Sequence, residues 1–354
     1  MLAICRFVKN RFVAFALGCI VIIAVLQAFF IKLVEWVPSF SPLFFPTLTI
    51  FLLVFHLFIA CFMAMKYWCD RRRLYLVPIA LAFAGSALLM VGTLSSFPAW
   101  LDLYQFNVAN YNDAMIFYMF RHFLMAVLII ISALLYTLRT SALSRSTHIG
   151  IVVGASLFTG SMLGLALFYS SHSTLLTLDL VDNETRQFMV LWSQAINIIL
   201  IVLWVVTLIT LLAITRVRNL FWVGGNFLCV CYIVTLLMLL LGGHAEDISW
   251  YRARLFETVA TLMIIFILLS DVFNLYRDSH VKYQQSYQNS IRDPLTRLYN
   301  RSYFYDSLNH ALNTATVTHP VSVVVSDLDR FKRINDCYGH LQGDRVLQFV
   351  SNLL

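Results

Sequence analysis

Apolar runs dominate the first 276 residues, and each is long enough to cross a bilayer core as a helix, which takes about 20 residues. They lie near 12–31, 47–65, 74–94, 115–138, 149–169, 188–213, 223–242 and 255–276. The pattern predicts a polytopic α-helical membrane region, 1–276, with eight transmembrane helices. The first run is long for a signal-peptide core and lacks a clear small-residue cleavage site before Lys32 and Glu35, so it reads as a retained anchor. After residue 276 the chain turns to RDSHVKYQQSYQNSIRD, which is polar, glutamine-rich and free of glycine and proline. This predicts that the eighth helix continues into water as a linker over 273–292. Phe273, Tyr276, His280, Tyr283, Tyr287 and Ile291 recur three or four residues apart, the spacing of a short two-stranded coiled-coil seam. A seam makes a parallel dimer that passes rotation or register shift to the segment beyond it; a plain amphipathic linker is the other reading.

Composition sharpens this picture. Hydrophobic residues make up 60% of the 354 and charged residues 12%, about half the charged share of a soluble domain. The net charge of +7 sits in short clusters between apolar runs, not along one folded face, which argues against nucleic acid as a partner. Arg6, Lys9 and Arg11 precede the first run, Lys66 and Arg71 to Arg73 follow the second, Arg139 and Arg145 the fourth, and Arg216 and Arg218 the sixth. The intervening loops carry Glu35, Asp102, Asp113, Asp179, Asp182, Glu184, Glu246 and Asp247. Positively charged loops resist translocation, so both termini are expected inside. The longest outer loops, around 95–114 and 170–187, are too short to fold as ligand-binding domains, which leaves the bundle or its rim to read any stimulus. His56, Arg121 and His122 are the ionisable candidates for a transport path. Their structural reading is that Arg121, near the outer end of its helix, snorkels, and that each histidine is satisfied by a neighbouring helix; paired histidines holding haem or a metal are the alternative. No internal repeat of transporter type stands out, and the seven cysteines suggest neither a disulfide framework nor zinc.

The last segment, 293–354, is small for an independent domain. Its opening, DPLTRLYNRSYFYDSLNHAL, places Pro294 at a helix or turn start and Leu298, Tyr303, Phe304 and Leu308 on one apolar face. Val321 to Val325 read as a strand buried on both faces. It ends at Asp327, Leu328 and Asp329, with a helix expected from near Arg330 and another from Asp344 after a Gly339 to Gly343 turn. A carboxylate at the carboxyl end of a buried strand sits where open α/β sheets bind ligands. Asp327 could then hold Mg²⁺ against a triphosphate, Lys332 could meet phosphate charge, and Asn335 and Asp344 offer the groups that read a guanine edge. The alternative is that Asp329 caps a helix while Asn335 and Asp344 are ordinary turn residues.

D-P-L-T-R-L-Y-N-R at Asp293 to Arg301, D-L-D-R-F-K-R-I-N-D at Asp327 to Asp336 and G-H-L-Q-G-D at Gly339 to Asp344 resemble, in order and spacing, the first third of the GGDEF domain of diguanylate cyclases. The helical region resembles the MASE-type membrane sensors that precede such domains, in DRRR after the second run, FYMFRH in the fourth and SWYRARLFETV leading into the eighth. The resemblance implies a nucleotidyl-cyclase-like α/β domain in a bacterial inner membrane protein, with its C-terminal domain cytoplasmic. It implies Asp327 and the Leu328 carbonyl as Mg²⁺ ligands, Asn335 and Asp344 as guanine readers, and Phe331 and Lys332 on the phosphate side. Asp293 and Arg301 match the family's opening signature, which couples linker to domain. In the family two domains face each other, each holding GTP, and each 3′-hydroxyl attacks the partner's α-phosphate, releasing pyrophosphate and yielding cyclic di-GMP.

The turn that names the family does not occur within these 354 residues, nor do its second acidic metal ligand, its inhibitory site and most of its sheet. The expectation is therefore a GGDEF domain cut before its turn, inactive alone, from the amino-terminal part of a membrane-bound diguanylate cyclase. The alternatives are a non-catalytic GGDEF partner that binds nucleotide or forms mixed dimers, and a membrane transporter or receptor.

Overall fold

Every apolar run becomes a helix, because in lipid a backbone without water must satisfy its own hydrogen bonds. The computed structural model describes residues 2–36, 43–97, 109–141, 144–176, 178–245 and 247–353, with backbone alone for 2–10 and 34–36. Asp102 and Glu246 of the outer-loop acids lie outside the described residues, as do the side chains of Arg6, Lys9 and Glu35. The helices are α1 (Leu2–Trp36), α2 (Phe44–Cys69), α3 (Leu76–Ser95), α4 (Tyr111–Thr137), α5 (Arg145–Tyr169), α6 (Asn197–Thr215, entered through a π-helical turn at Leu191–Ile196), α7 (Leu220–Leu241) and α8 (Ile248–Ile291). Among the described residues, these eight are long and apolar enough to span a bilayer. Two starts carry side-chain caps, where Asn110 accepts from the Asp113 amide and Ser144 from the Thr147 amide.

The chain divides into two units, Met1–Asp271 and Val272–Leu354. In the first, α4 packs against α3, α5 and α6 and contributes Met115, Ile116, Leu124, Met125 and Leu128 to the fully buried core. Gly92 on α3 lets the Phe117 ring of α4 approach so closely that a Cβ there would stand 2.5 Å from it. Outer helices instead expose large apolar side chains, such as Val21, Leu157, Ile199 and Ile209, the expected lining against acyl chains.

The core is not wholly apolar. Arg121 is only 1% exposed and pairs through both terminal nitrogens with Glu257 of α8, which also accepts from Arg254 at 3.2 Å. The expectation that Arg121 snorkels to the rim is thus corrected, since a carboxylate on the facing helix supplies inside the bundle what water would supply at its surface. The histidines are met by neighbouring helices: His56 Nδ1 lies 2.8 Å from the Ser86 hydroxyl, and Trp204 Nε1 donates to His122 Nδ1 at 3.1 Å. At the other end of the bundle, Lys66 on α2 bonds Asp271 on α8 at 2.9 Å.

In the second unit α8 runs on unbroken to Ile291, as its composition predicts. Then come α9 (Arg301–Thr314), α10 (Phe331–Tyr338) and α11 (His340–Ser351). Two expectations change. Residues 320–328 form no strand, and Val323 and Val325 are 50% and 90% exposed, because a strand needs partners for its main-chain groups and none of the described residues supplies one. The last helix starts at His340, not Asp344, because Gly339 at φ +81° makes the whole reversal in one residue.

Replacing Glu257 by alanine leaves two guanidiniums facing each other in an apolar core. We expect a loss of about 3–5 kcal/mol, read as a lowered thermal-unfolding midpoint in detergent, with much of it regained when all three charges are replaced, in Arg121→Met/Arg254→Met/Glu257→Leu. An unchanged midpoint in Glu257→Ala would show that the pair holds nothing together.

Candidate functional site

The second unit begins where a helix must end, and the last carbonyls of any helix lack intrahelical donors. Asn300 answers this. Its amide NH₂ donates to the Ser290 carbonyl at 2.6 Å, its backbone N–H donates to the Ile291 carbonyl at 2.8 Å, and its Oδ1 accepts from Tyr303 N–H at 3.0 Å, which caps α9. One residue thus closes α8 and opens α9. Between them Asp293 forms an Asx turn, its Oδ1 accepting from Leu295 N–H, Thr296 N–H and the Thr296 hydroxyl at 3.1, 2.8 and 2.9 Å. Those bonds, above all from Thr296, hold its carboxyl below the usual carboxylate range. Arg297 takes a positive φ of 62° at the turn's end, and the Arg292 guanidinium donates to its carbonyl at 2.7 Å while lying over the Tyr299 ring.

Of the two residues expected to couple linker and domain, Asp293 therefore sits in the junction. Arg301 instead places its guanidinium 5.5 Å from the Tyr305 ring centre. Asn300 and Arg292 were not singled out by sequence. The signal for Asn300 was present, because asparagine before a periodic helical run is a favoured cap.

The expected nucleotide residues gather around α10 and α11. Asp327 is exposed and its Oδ1 accepts from the Leu328 amide at 2.9 Å. The Leu328 carbonyl accepts from Phe331 N–H at 3.3 Å at the start of α10, and a carbonyl retains a second lone pair. Phe331 is half-buried and Lys332 exposed in the first turn. Asn335 lies directly over Gly343, where any Cβ would collide with its side-chain oxygen. Gly343 is the buried residue of α11, and Asp344 follows it in the chain. The described residues contain no group of three acids, histidines or cysteines able to hold a metal together. Asp327 offers one carboxylate, which fits Mg²⁺ because that ion is commonly held by one or two carboxylates together with substrate phosphates. Phe273, Tyr276, Tyr283 and Tyr287 of the seam are 46–69% exposed along α8.

Two family matches cover most of the chain. Residues 39–276 match MASE4, a membrane-associated sensor, integral membrane domain, and residues 290–354 match the GGDEF domain of diguanylate cyclases. Among individual proteins, the chain is 26% identical over 305 residues to the probable diguanylate cyclase DgcT of Escherichia coli K12, covering 83% of this chain and 63% of that protein. The cyclic di-GMP phosphodiesterase PdeR of the same organism is 49% identical over 59 residues, 17% of this chain and 9% of its own. The diguanylate cyclase DgcS of Shewanella oneidensis is 39% identical over 75 residues, 21% of this chain and 25% of its own. The chain thus spans less than two thirds of the length of each of these relatives. No solved structure matches it.

Two outcomes check the junction. Asn300→Ala should cost about 1 kcal/mol and speed amide exchange at Tyr303; unchanged exchange there would remove the cap from the account. A carboxylate with a lowered pKa stabilises the fold at pH above its ordinary value near 4 and loses that contribution as pH falls through the lowered value. The Thr296 amide resonance should accordingly titrate below pH 4 in the native chain and not in Asp293→Asn.

Proposed function

This chain belongs to the MASE4 family of membrane-associated sensors and carries GGDEF-domain sequence of the diguanylate cyclase family, and from that premise we propose that it senses a stimulus in the membrane and controls synthesis of cyclic di-GMP from two GTP. The observation that carries the proposal is the match of residues 290–354 to the GGDEF domain; the packing of Asn335 on Gly343, the residue before Asp344, supports Asn335 and Asp344 as the amide and acceptor that would read a guanine edge. Asp327, with the Leu328 carbonyl, would hold Mg²⁺; when bound, that ion neutralises developing charge on the transferred phosphoryl group. Lys332 and Phe331 would line the phosphate side. In this reading both termini are cytoplasmic, the membrane is the bacterial inner one, and residues 273–292 bring two copies together so that each domain presents its nucleotide to the other. Asp293 and the turn it closes would couple the arriving helix to the domain, with Arg301 beside it.

A second reading is a GGDEF partner without catalysis of its own, acting in a mixed dimer. The exposed aromatic stripe on α8 favours it, since such a stripe pairs with any helix of the same spacing.

Mass-spectrometric detection of cyclic di-GMP from GTP and Mg²⁺ tests the proposal. The 354 residues alone are expected to yield none, because they do not include the turn that names the domain. A chain continuing through that turn is expected to yield product, reduced about 100-fold or more by Asp327→Ala. Product from the 354 residues that vanishes in Asp327→Ala would overturn the first expectation, and an extended chain indifferent to Asp327→Ala would overturn the site. Tyr283→Pro, which breaks the helix, should abolish dimerisation and any effect of co-expression on a related cyclase.

A further inference from the structure

Where α2 and α4 end and α5 begins, the chain leaves and re-enters the apolar zone through two basic loops. Arg71 and Arg72 follow α2, Arg139 follows α4, and Arg145 opens α5. All four are exposed, and all four line one open groove of about 1140 Å³, at the upper end of ligand pockets in size. Tyr67 of α2 and His148 of α5 line it as well; Tyr67 Oη and His148 Nε2 are 2.5 Å apart with their rings stacked, which ties those two helices together.

No acid lines the groove. Asp70, next to it in the chain, pairs with Arg73 at 3.0 Å, and Asp271 pairs with Lys66 of α2 at 2.9 Å. Among the described residues none of the four arginines has an ion-pair partner. Arg71 lies over the Trp68 ring and Arg139 over the Tyr136 ring, contacts that orient a guanidinium without neutralising it. Four permanent cations thus share one space with no counter-charge from the chain. Membrane topology asks only that such loops be basic; it does not ask that arginines from two loops share a groove. The remaining wall is aliphatic, with Leu138, Ile149 and Val153 exposed along it. A free phosphate would meet the arginines and leave that wall bare, whereas an amphiphile with an anionic head satisfies both.

We propose that this groove seats one anionic phospholipid, its phosphate against Arg71, Arg72, Arg139 and Arg145 and its glycerol and first acyl carbons along Leu138, Ile149 and Val153. Basic pockets between transmembrane helices suit such head groups, and the guanidinium fork matches phosphate oxygens in pairs. The lipid touches residues of both basic loops and of α5, so it braces the end of the bundle where they meet. The site is independent of the nucleotide chemistry proposed above, and its test uses no nucleotide.

The full 354-residue chain in neutral maltoside micelles would be titrated with dioleoylphosphatidylglycerol and, separately, with dioleoylphosphatidylcholine, and bound lipid counted by native mass spectrometry. The expected result is saturable retention of one phosphatidylglycerol per chain at concentrations where phosphatidylcholine is not held. Arg71→Gln/Arg139→Gln takes one arginine from each loop and should weaken retention about tenfold or more; Arg145→Gln serves if that variant does not fold. Arg216→Gln/Arg218→Gln removes the same charge after α6, outside the groove, and should leave retention unchanged. Inorganic phosphate and glycerophosphoglycerol, the head group without its chains, should not displace the lipid even in excess. Equal retention of the two lipids, or equal weakening by the two double variants, would reduce the groove to general surface charge and overturn the proposal. Displacement by either soluble phosphate would overturn it too, by showing a site for a free anion.

Discussion

The contact between Arg121 and Glu257 is the constraint on which the arrangement of the membrane unit turns. Apolar helix faces in lipid have little preference for one rotation over another, since lipid tails are as apolar as the side chains they would replace. A guanidinium and a carboxylate in the same interior have a strong one, because either alone is costly there. Turning α8 by a single residue, about 100°, would carry Glu257 away from Arg121. The Lys66 to Asp271 pair repeats the constraint fourteen residues later along α8, about 21 Å away at 1.5 Å per residue. Between these two polar ties, α8 is fixed in rotation and in height against α4 and α2, and it is the same helix that continues to Ile291.

What the sequence made legible was whatever depends on local pattern. Eight apolar runs became eight helices, and the absence of glycine and proline from residues 277–293 became an uninterrupted helix to Ile291. What it concealed depends on partners distant in the chain. The position of Arg121 along its own helix suggested escape to the surface, and only the facing α8 reveals the carboxylate that removes the need. Glu257 had been visible within SWYRARLFETV as part of a resemblance, with no structural role attached. Val321 to Val325 show the same limit from the other side, for the β-branched pattern is present and the described residues supply no partner for its ladder.

The nucleotide segment divides along similar lines. The sequence named Asn335 and Asp344 as a pair on either side of a glycine turn. It could not say that Gly343 lies inside a helix, under the Asn335 side chain. The reversal expected to span Gly339 to Gly343 is made by Gly339 alone, so α11 gains a turn and its glycine becomes a packing position instead of a hinge.

Asn300 has a further consequence. The carbonyl it satisfies belongs to one helix and the amide it caps belongs to the next, so neither bond can be lost by rotating that side chain without losing the other. The end of α8 and the start of α9 are therefore coupled through one side chain. A junction of this kind works like a single rivet through two plates, joining the last turn of the arriving helix to the first turn of the next.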